Sequence, residues 1–435
     1  MIEIISIFSQ LLIFILITVF PFNSLTLNNK NFLIKNNFAY TIGVNILFLI
    51  FILLIFSFFS ISQRIIFYFI IFVYLIIFTL NLKKIIKLSW IKKDFNLKFF
   101  YFAILFMLFL NVAENLKIGW DAFDIWKFIA NNFYLEESFY NLQNREGRAP
   151  TYPHLGSYIW SFFWKNSLLE KEYFGRLFYI YIYTTAIFSL VLSIKNISNE
   201  KKILLVFFMI ISTWDQDLQG YQGYLIFSFL IFFVVALLDC DNGNQKSKVL
   251  SVAYFLVCSL LPWIKNESSF YSLFLIILLM TNKNFRCRRN VLLTVAVFIS
   301  LFGEFFIRKY FFSTEYAFQS PINIGIIFDL SLYDHFKKIL MITAYFFREC
   351  FKYPIWIFNL IGLAIAFFYY EKSETLKLIA LFFIMNLCFL FAIFLLTPID
   401  LKLMLNTTMD RLMLQTSGIY AATCVVLINK SIIRL

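Results

Sequence analysis

Long apolar runs recur along this chain and restrict it to very few folds. About thirteen of them approach or reach the roughly 17 to 25 residues with which an α-helix crosses a bilayer. They lie at residues 4–20, 39–59, 65–82, 99–112, 173–194, 203–213, 224–238, 249–263, 268–280, 291–307, 354–370, 376–396 and 412–428. Only helices and closed barrels pair every backbone amide within hydrocarbon, and barrel strands are shorter and alternate. The sequence therefore predicts an all-α polytopic membrane protein, a helical bundle of about thirteen transmembrane helices.

The composition agrees with one membrane-embedded unit. The 435 residues are 61% hydrophobic and only 14% charged. No repeat, low-complexity linker or soluble domain separates the runs, so residues 1–435 are expected to form a single membrane domain. The first run lacks a preceding basic segment and is interpreted as a retained span rather than a cleaved signal. The six cysteines show no metal-ligand spacing and imply no disulfide framework.

The net charge of +13 is interpreted as a topology signal. Lysine and arginine lie in short loops rather than along one soluble face, which favours contact with lipid headgroups over nucleic acid. The densest basic cluster, in residues 83–98, marks a cytoplasmic loop. Alternation from it assigns the polar, acidic and Trp-rich segments to the outer face: residues 115–172, 214–222, 265, 309–353 and 397–411. Any site is therefore expected to face outward, from a multi-pass protein of the bacterial inner membrane.

The first outer loop, residues 114–172, opens with "GWDAFDIWKF". A helical wheel predicts an amphipathic interfacial helix over residues 120–133, anchored by Trp120 and Trp126. Its polar arc holds Asp121, Asp124, Lys127, Asn131 and Asn132. The two aspartates are either solvated or positioned to accept a proton from a hydroxyl group at headgroup depth.

The same loop continues with more polar candidates. Arg145 and Arg148 precede Tyr152, Pro153 and His154, and the proline is expected to begin a second short helix. A catalytic metal usually has three protein ligands. One histidine near two aspartates therefore leaves a divalent metal open as an alternative, and no cofactor or metal ligand is otherwise assigned.

Two further outer segments carry candidates. "LPWIKNESSFY" is a tight turn that presents Lys265, Asn266 and Glu267, either as a plain polar turn or as part of a site. Asp215 and Asp217 occupy another turn, and Glu304 lies in the outer half of its span, where a buried ionisable group favours function.

The segment before the last span, "LTPIDLKLMLNTTMDRLMLQ", contains Asp400, Thr407, Thr408 and Arg411. The two threonines are predicted N-caps, which puts Arg411 near the first turn of the last helix. A guanidinium beside a helix N-terminus binds phosphate well. An ordinary capped helix with an arginine reaching toward the headgroups is the alternative.

Taken together, these motifs resemble the GT-C superfamily of membrane glycosyltransferases, most closely its bacterial dolichyl-phosphate-mannose mannosyltransferase-like family. The resemblance rests on the order and sidedness of "GWDAFDIWKFIA", "YPHLGSYIW", "WIKNESSFY" and "TPIDLKLMLNTTMDRLMLQ". It covers residues 111–415 and not the first three spans. It implies a GT-C-like core at residues 98–430, preceded by extra N-terminal spans at residues 1–97.

In that superfamily, an aspartate at the outer end of the first core span acts as base or binds the acceptor, and the donor is a sugar on a polyprenyl phosphate. Carried over by position, the aspartate is Asp121, with Asp124 as helper. Relatives often have the sequence Gly-Tyr-Ala-Asp at the positions where this chain has Gly220, Tyr221, Gln222 and Gly223. They also tend to have an aspartate before Tyr-Pro, where this chain has Thr151.

The resulting hypothesis is an inverting glycosyltransferase that moves a sugar from a polyprenyl-phosphate donor to a lipid or glycan acceptor at the outer face. Asp121 and Asp124 are the predicted catalytic residues. Donor phosphate is assigned to Arg411, Lys265 and Arg148. Other substrate contacts are assigned to Trp120, Tyr152, His154, Asn266, Glu267 and Asp400.

Two other functions remain open. A flippase or transporter is expected to show repeat symmetry, helix breaks and midplane charges, whereas this chain has only 12 glycines and 7 prolines. A glycan polymerase would depend on arginines in the large outer loop, where Arg145 and Arg148 are the candidates.

Overall fold

The computed structural model describes most of the chain. The described residues are 2–19, 37–86, 95–119, 122–136, 139, 152–195, 197–215, 222–241, 248–281, 288–311, 325, 331–368 and 373–433. Within them every regular element is helical, which confirms the predicted all-α fold class.

The α-helices are numbered in chain order. They are α1 Ile2–Val19, α2 Phe38–Ser57, α3 Gln63–Ile86, α4 Phe95–Glu114, α5 Phe128–Glu136, α6 Leu155–Lys165, α7 Tyr173–Leu192, α8 Asn199–Thr213, α9 Gly223–Asp241, α10 Lys248–Leu260, α11 Asn266–Thr281, α12 Arg288–Phe311, α13 Leu332–Lys352, α14 Ile355–Phe368, α15 Glu374–Leu395 and α16 Leu401–Ile433. A π-helical turn, Ala122–Lys127, precedes α5, and a 3-10 turn, Leu261–Trp263, follows α10.

A helix coincides with each predicted span, but the helices differ in length. Among the described residues, eight are long and apolar enough to cross a membrane: α1, α2, α3, α4, α7, α12, α15 and α16. Helices α13 and α14 together make a ninth if their bent pair is one span, and α9, α10 and α11 contain shorter apolar segments of 10–17 residues. These lengths define a multi-span membrane protein, and the count of about thirteen stays a prediction because a bilayer needs roughly 20 residues.

Charged and polar loops meet at the two ends of the bundle as the alternation requires. At one end Glu3 pairs with Lys171. At the other end the backbone N–H of Lys195 donates to Asn429 Oδ1 at 2.8 Å, and Asn37 Nδ2 donates to the Ser189 carbonyl at 2.7 Å. Segments predicted to share a side therefore touch one another, which agrees with the topology derived from the lysines and arginines.

The first three spans share the core of the later ones. Tyr181 of α7 reaches Thr18 of α1 at 2.5 Å, oxygen to oxygen. Phe14 packs edge-on against Phe163 and Phe178, at ring-centroid distances of 5.0 and 5.4 Å. Helices α1 and α2 thus pack against α7, and Phe14 of α1 also contacts α6 of the outer loop.

Helices α6 and α7 approach so closely that one contact point accommodates only glycine. A Cβ atom on Gly175 would collide with the backbone carbonyl oxygen of Trp160, which cannot turn away as a flexible side chain can. Gly303 in α12 has the opposite setting, because a Cβ there meets nothing within 4 Å.

We therefore expect Gly175→Ala to destabilise the protein by about 1–3 kcal/mol, because overpacking forces the two helices apart. Gly303→Ala is the matched control and should be neutral or slightly stabilising, since alanine is the better helix former. Thermal unfolding midpoints of both variants in the same detergent check this. Equal midpoints would contradict the close packing of α6 and α7.

The topology predicts which positions react with reagents in the surrounding water. A single cysteine at the exposed Leu168, introduced into a variant without native cysteines, should react with a membrane-impermeant maleimide in intact cells. A cysteine at the exposed Glu200 should react only after lysis. The reverse pattern would invert the assignment of the two faces.

Candidate functional site

The first outer loop folds back onto the bundle instead of lying on lipid. Its π-helical turn and α5 bury Trp126, Ile129 and Phe133 against α6. The predicted polar arc is partly wrong, because the side chain of Asn132 is only 4% exposed. A π-helix hydrogen-bonds from i to i+5, and this shift in register was invisible to a wheel drawn at the α-helical period.

Trp126 is buried in an internal cluster of polar and aromatic side chains. The prediction that it anchors an interfacial helix is therefore wrong. Its side chain is only 2% exposed and meets the Tyr152 ring edge-on, with centroids 5.4 Å apart. Lys265 Nζ lies 5.5 Å from its ring centroid, within the range of cation–π attraction. The Trp126 carbonyl accepts a hydrogen bond from the Ser157 hydroxyl at 3.0 Å. This tryptophan therefore joins the outer loop to the Lys265 turn.

Lys265 and Glu267 form the charged centre of the cluster. The lysine is 3% exposed, and its Nζ lies 3.5 Å from Glu267 Oε1. The same carboxylate oxygen accepts from Gln415 Nε2 at 3.0 Å. The "KNE" turn and the last helix, which are distant in sequence, thus meet at one carboxylate. Burial and the negative charge of Glu267 raise the pKa of Tyr152, so its phenol remains a neutral donor.

Gln222, which directly precedes α9, contacts the same cluster. Its amide fits best with the nitrogen donating to the Ile264 carbonyl at 2.8 Å and the oxygen accepting from the Ser157 backbone N–H at 3.2 Å. A Cβ atom on Gly223 would lie 3.4 Å from Gln415 Cγ. The Gly223 position therefore lies beside this cluster without a carboxylate, and Asp215 Oδ2 pairs instead with Lys352 Nζ at 2.6 Å.

The predicted start of the last helix is wrong. Asp400 is the N-cap, since its Oδ1 accepts from the Leu403 backbone N–H at 2.8 Å, and α16 begins at Leu401. Thr407 lies inside the helix and donates to the Leu403 carbonyl at 3.0 Å. Asp, Asn and Ser cap about equally well, and the apolar residues after Asp400 continue the helix. The N-terminus of α16 is therefore not beside Arg411, which lies inside the helix.

Arg411 nevertheless lies close to the cluster along α16. Its Nη2 donates to Thr408 Oγ1 at 3.1 Å, and it lies one turn before Gln415 on the same face of α16. This face runs from the half-buried Thr408 and Arg411 to the fully buried Gln415 beside Glu267. A guanidinium and an ammonium thus lie along one side of the bundle.

Glu304 is connected to the cluster through Arg308, a residue that the sequence analysis did not select as a candidate. It is 2% exposed and pairs with Arg308, whose Nη2 also lies 3.1 Å from Glu304 Oε2. Arg308 Nη1 donates to Asn266 Oδ1 at 2.7 Å. An acid and a base four residues apart within a span is the signal that could have revealed the pair. Asn266 is therefore held from α12.

A second ion pair that the sequence analysis did not identify connects α7 to the first outer loop. Arg176 is completely buried, and its Nε lies 3.1 Å from Glu172 Oε1. Its Nη2 reaches the Leu116 carbonyl at 3.5 Å, in the segment that leads into the first outer loop. Burial raises the pKa of Glu172, against the opposing charges of Arg176 and Lys127. The spacing of four residues was again visible in the sequence.

His154 lies behind the cluster in an aromatic cage. It is 1% exposed, and the rings around it are Phe58, Phe133, Phe139 and Trp263. Ser57 gives its hydroxyl proton to the Leu54 carbonyl at 2.7 Å, so His154 Nε2, at 2.8 Å from Ser57 Oγ, is the donor in their bond. Burial, with a smaller contribution from the charge of Arg308, lowers the pKa of His154 to about 3. This histidine fastens the loop to the turn after α2.

The remaining candidates divide into two groups. Asp124 lies half-buried on the π-helical turn. Asp121, Trp120 and Arg148 lie outside the described residues, as do Arg145 and Asp217. Within the described residues, no three His, Cys, Asp or Glu side chains are grouped so that they could hold a metal ion.

The helices and the polar cluster at one end define a class, the multi-span α-helical membrane proteins with a buried charged centre near one face. Scans of the chain against protein-family models, curated proteins and solved structures found no match.

The cage around His154 predicts a pH dependence of stability. The unfolded chain protonates this histidine below about pH 6.5, whereas the folded protein keeps it neutral down to about pH 3. The unfolded state then binds more protons, so the free energy of unfolding falls with falling pH in this window, by up to about 1.4 kcal/mol per pH unit. Unfolding measured between about pH 7 and pH 4 should show this slope.

His154→Gln should remove that part of the slope. His335→Gln, the same change at the other histidine, is the matched control and should retain it. If His154→Gln leaves the pH dependence unchanged, the histidine is not buried in its neutral form.

Proposed function

We propose that this protein is an integral membrane glycosyltransferase that moves a sugar from a polyprenyl-phosphate donor to a lipid or glycan acceptor. The observation that carries the proposal is the joining of four segments in one polar cluster. Trp126, Tyr152, Lys265, Glu267 and Gln415 come from the segments on which the GT-C resemblance rests, and they are in contact through the distances given above.

The chemistry follows from the charges of this cluster. A glycosyl phosphate leaves as an anion, and a cation held away from water stabilises that charge more strongly than a solvated one. Lys265 is such a cation, because it is nearly excluded from solvent and has Glu267 as a close carboxylate neighbour. Arg411 adds a bidentate donor from the adjacent face of α16. Arg148 is proposed as a third phosphate contact.

The acceptor is activated by the aspartates of the first outer loop. Asp121 takes the proton of the attacking hydroxyl, with Asp124 as helper, and attack from the side opposite the phosphate inverts the anomeric carbon. Trp120, Tyr152, Asn266, Glu267 and Asp400 are proposed to contact the substrates. His154, which the sequence analysis assigned to the same group, is enclosed by aromatic rings and is proposed to support the outer loop instead. The reaction takes place at the outer face of a bacterial inner membrane.

Asp121→Asn should lower sugar transfer by about 10² to 10⁴-fold, because the amide cannot accept the proton. The measurement is transfer or release of sugar from a panel of polyprenyl-phosphate sugars, in membranes that contain equal amounts of wild-type or variant protein. Asp334→Asn makes the same change in another outer segment and should keep full activity.

The other outcomes separate the remaining functions. Unchanged transfer by Asp121→Asn would remove this aspartate from the mechanism. No transfer from any donor, with the protein well inserted, would favour a transporter or flippase, and a ladder of product lengths would favour a glycan polymerase.

A further inference from the structure

Helix α13 belongs to an outer segment to which the sequence reading assigned no role. Ser331 caps it by accepting from the Asp334 backbone N–H at 3.2 Å, and the helix continues for 21 residues to Lys352. Only Tyr353 and Pro354 separate it from α14, and the two axes differ by 96°. Such a bend turns the chain through a right angle.

The direction of α14 is fixed by its contacts with α16, which is a candidate span. Trp356 Nε1 donates to the Met413 carbonyl at 3.1 Å, and Thr423 Oγ1 donates to Asn359 Oδ1 at 2.5 Å. These contacts advance in the same direction along both helices, so α14 runs alongside α16. If α16 crosses the bilayer, α13 lies close to the plane of the membrane surface.

The surface of α13 has three sectors. One sector packs inward, where Phe346 meets the Trp356 ring with centroids 5.6 Å apart and Ile342 is fully buried. The second sector is apolar yet exposed, at positions spaced by three, four or seven residues: Tyr333, Phe336, Leu340, Phe347 and Phe351. The last of these, Phe351, is 79% exposed.

The third sector is charged and borders the exposed apolar one. It contains the exposed Lys337, Arg348 and Lys352. Arg348 donates to Asn406 at 3.2 Å, and Lys352 reaches Asp410 at 3.4 Å, so these two fix α13 to α16. Lys337 and the adjacent Lys338 extend beyond those contacts.

We propose that α13 is an interfacial helix that binds the bilayer surface and its anionic headgroups. A helix with an exposed apolar stripe beside a row of basic side chains lies in the interface, with the stripe immersed to about 5–10 Å and the basic groups at phosphate level. The charge complementarity comes from Lys337 and Lys338, and the geometry from the bend at Tyr353. Half of a broken span would require these lysines to be buried in hydrocarbon.

The helix also connects the membrane surface to the candidate site. Its last residue, Lys352, bridges Asp215 after α8 and Asp410 on α16, and Asp410 directly precedes Arg411. Lys352 thereby links α13 to the part of α16 that carries Arg411. This inference concerns where α13 lies and does not depend on the proposed reaction.

The test measures depth with spin labels at single cysteines, in vesicles of phosphatidylcholine and phosphatidylglycerol. Labels at Leu340 and Phe347 should collide more with oxygen than with a water-soluble nickel chelate, at a depth shallower than a label at Leu381 on the lipid-exposed side of α15. A label at Lys337 should show the reverse preference. Depths at Leu340 and Phe347 equal to that of Leu381 would identify a broken span and overturn the proposal.

High nickel accessibility at Leu340 and Phe347 would equally overturn it, because the stripe would then face water. The proposed binding of anionic headgroups is tested with a double variant, Lys337→Glu and Lys338→Glu. This variant should reduce the depth of the Leu340 label in phosphatidylglycerol vesicles and not in pure phosphatidylcholine. The matched control, Lys402→Glu on the exposed start of α16, should leave that depth unchanged, and an equal effect of both changes would exclude a specific headgroup contact by α13.

Discussion

Hydrocarbon offers no hydrogen-bond partner to a polar group, and the architecture of this protein follows from that constraint. Backbone amides are satisfied within helices, and several polar side chains inside the bundle pair between helices. Asn386 donates to Thr416 at 3.1 Å and to Tyr420 at 2.8 Å, which ties α15 to α16. Buried ionisable groups such as Glu304 are found beside a counter-charge, here Arg308. The polar residues therefore specify which helices are neighbours, while the apolar ones supply contact area.

The same rule explains why the candidate site is compact. A charged lysine that loses its water must gain a carboxylate, and a carboxylate that loses its water must gain donors. Lys265, Glu267 and Gln415 satisfy one another in this way, and each comes with its own segment of chain. The electrostatic requirement of burial thus assembles groups that can also stabilise an anion. A preorganised cation of this kind is what departure of a glycosyl phosphate needs.

Aromatic packing positions the outer loop over this cluster. The cage around His154 fastens the loop to the turn after α2, and the stacking of Tyr134 on Trp164, with centroids 4.5 Å apart, fastens α5 to α6. On the opposite flank, α13 is attached through Lys352 and exposes an apolar stripe. The loop is therefore held by the protein, whereas α13 is proposed to be held by lipid. The loop is connected to α16 through Lys265 and Glu267 at Gln415, and α13 through Lys352 at Asp410.

The sequence by itself determined the fold class, the positions of the apolar helices and the sorting of loops between two ends, because hydropathy and charge act locally along the chain. It also placed Lys265 between two apolar helices, although Asn266 and Glu267, predicted to lie in the same turn, belong to the first turn of α11. It could not determine that α16 begins at Leu401, because several residues there cap equally well.

Only the tertiary structure decided which distant groups meet. Gln415 joins Glu267 across 148 residues of sequence separation, and Arg308 joins Asn266 across 42. It also decided that Trp126 packs against protein side chains, among them Tyr152 and Lys265, rather than against lipid. Such pairings depend on how helices pack in three dimensions, and periodicity along one segment carries no information about the surface that another segment will present to it.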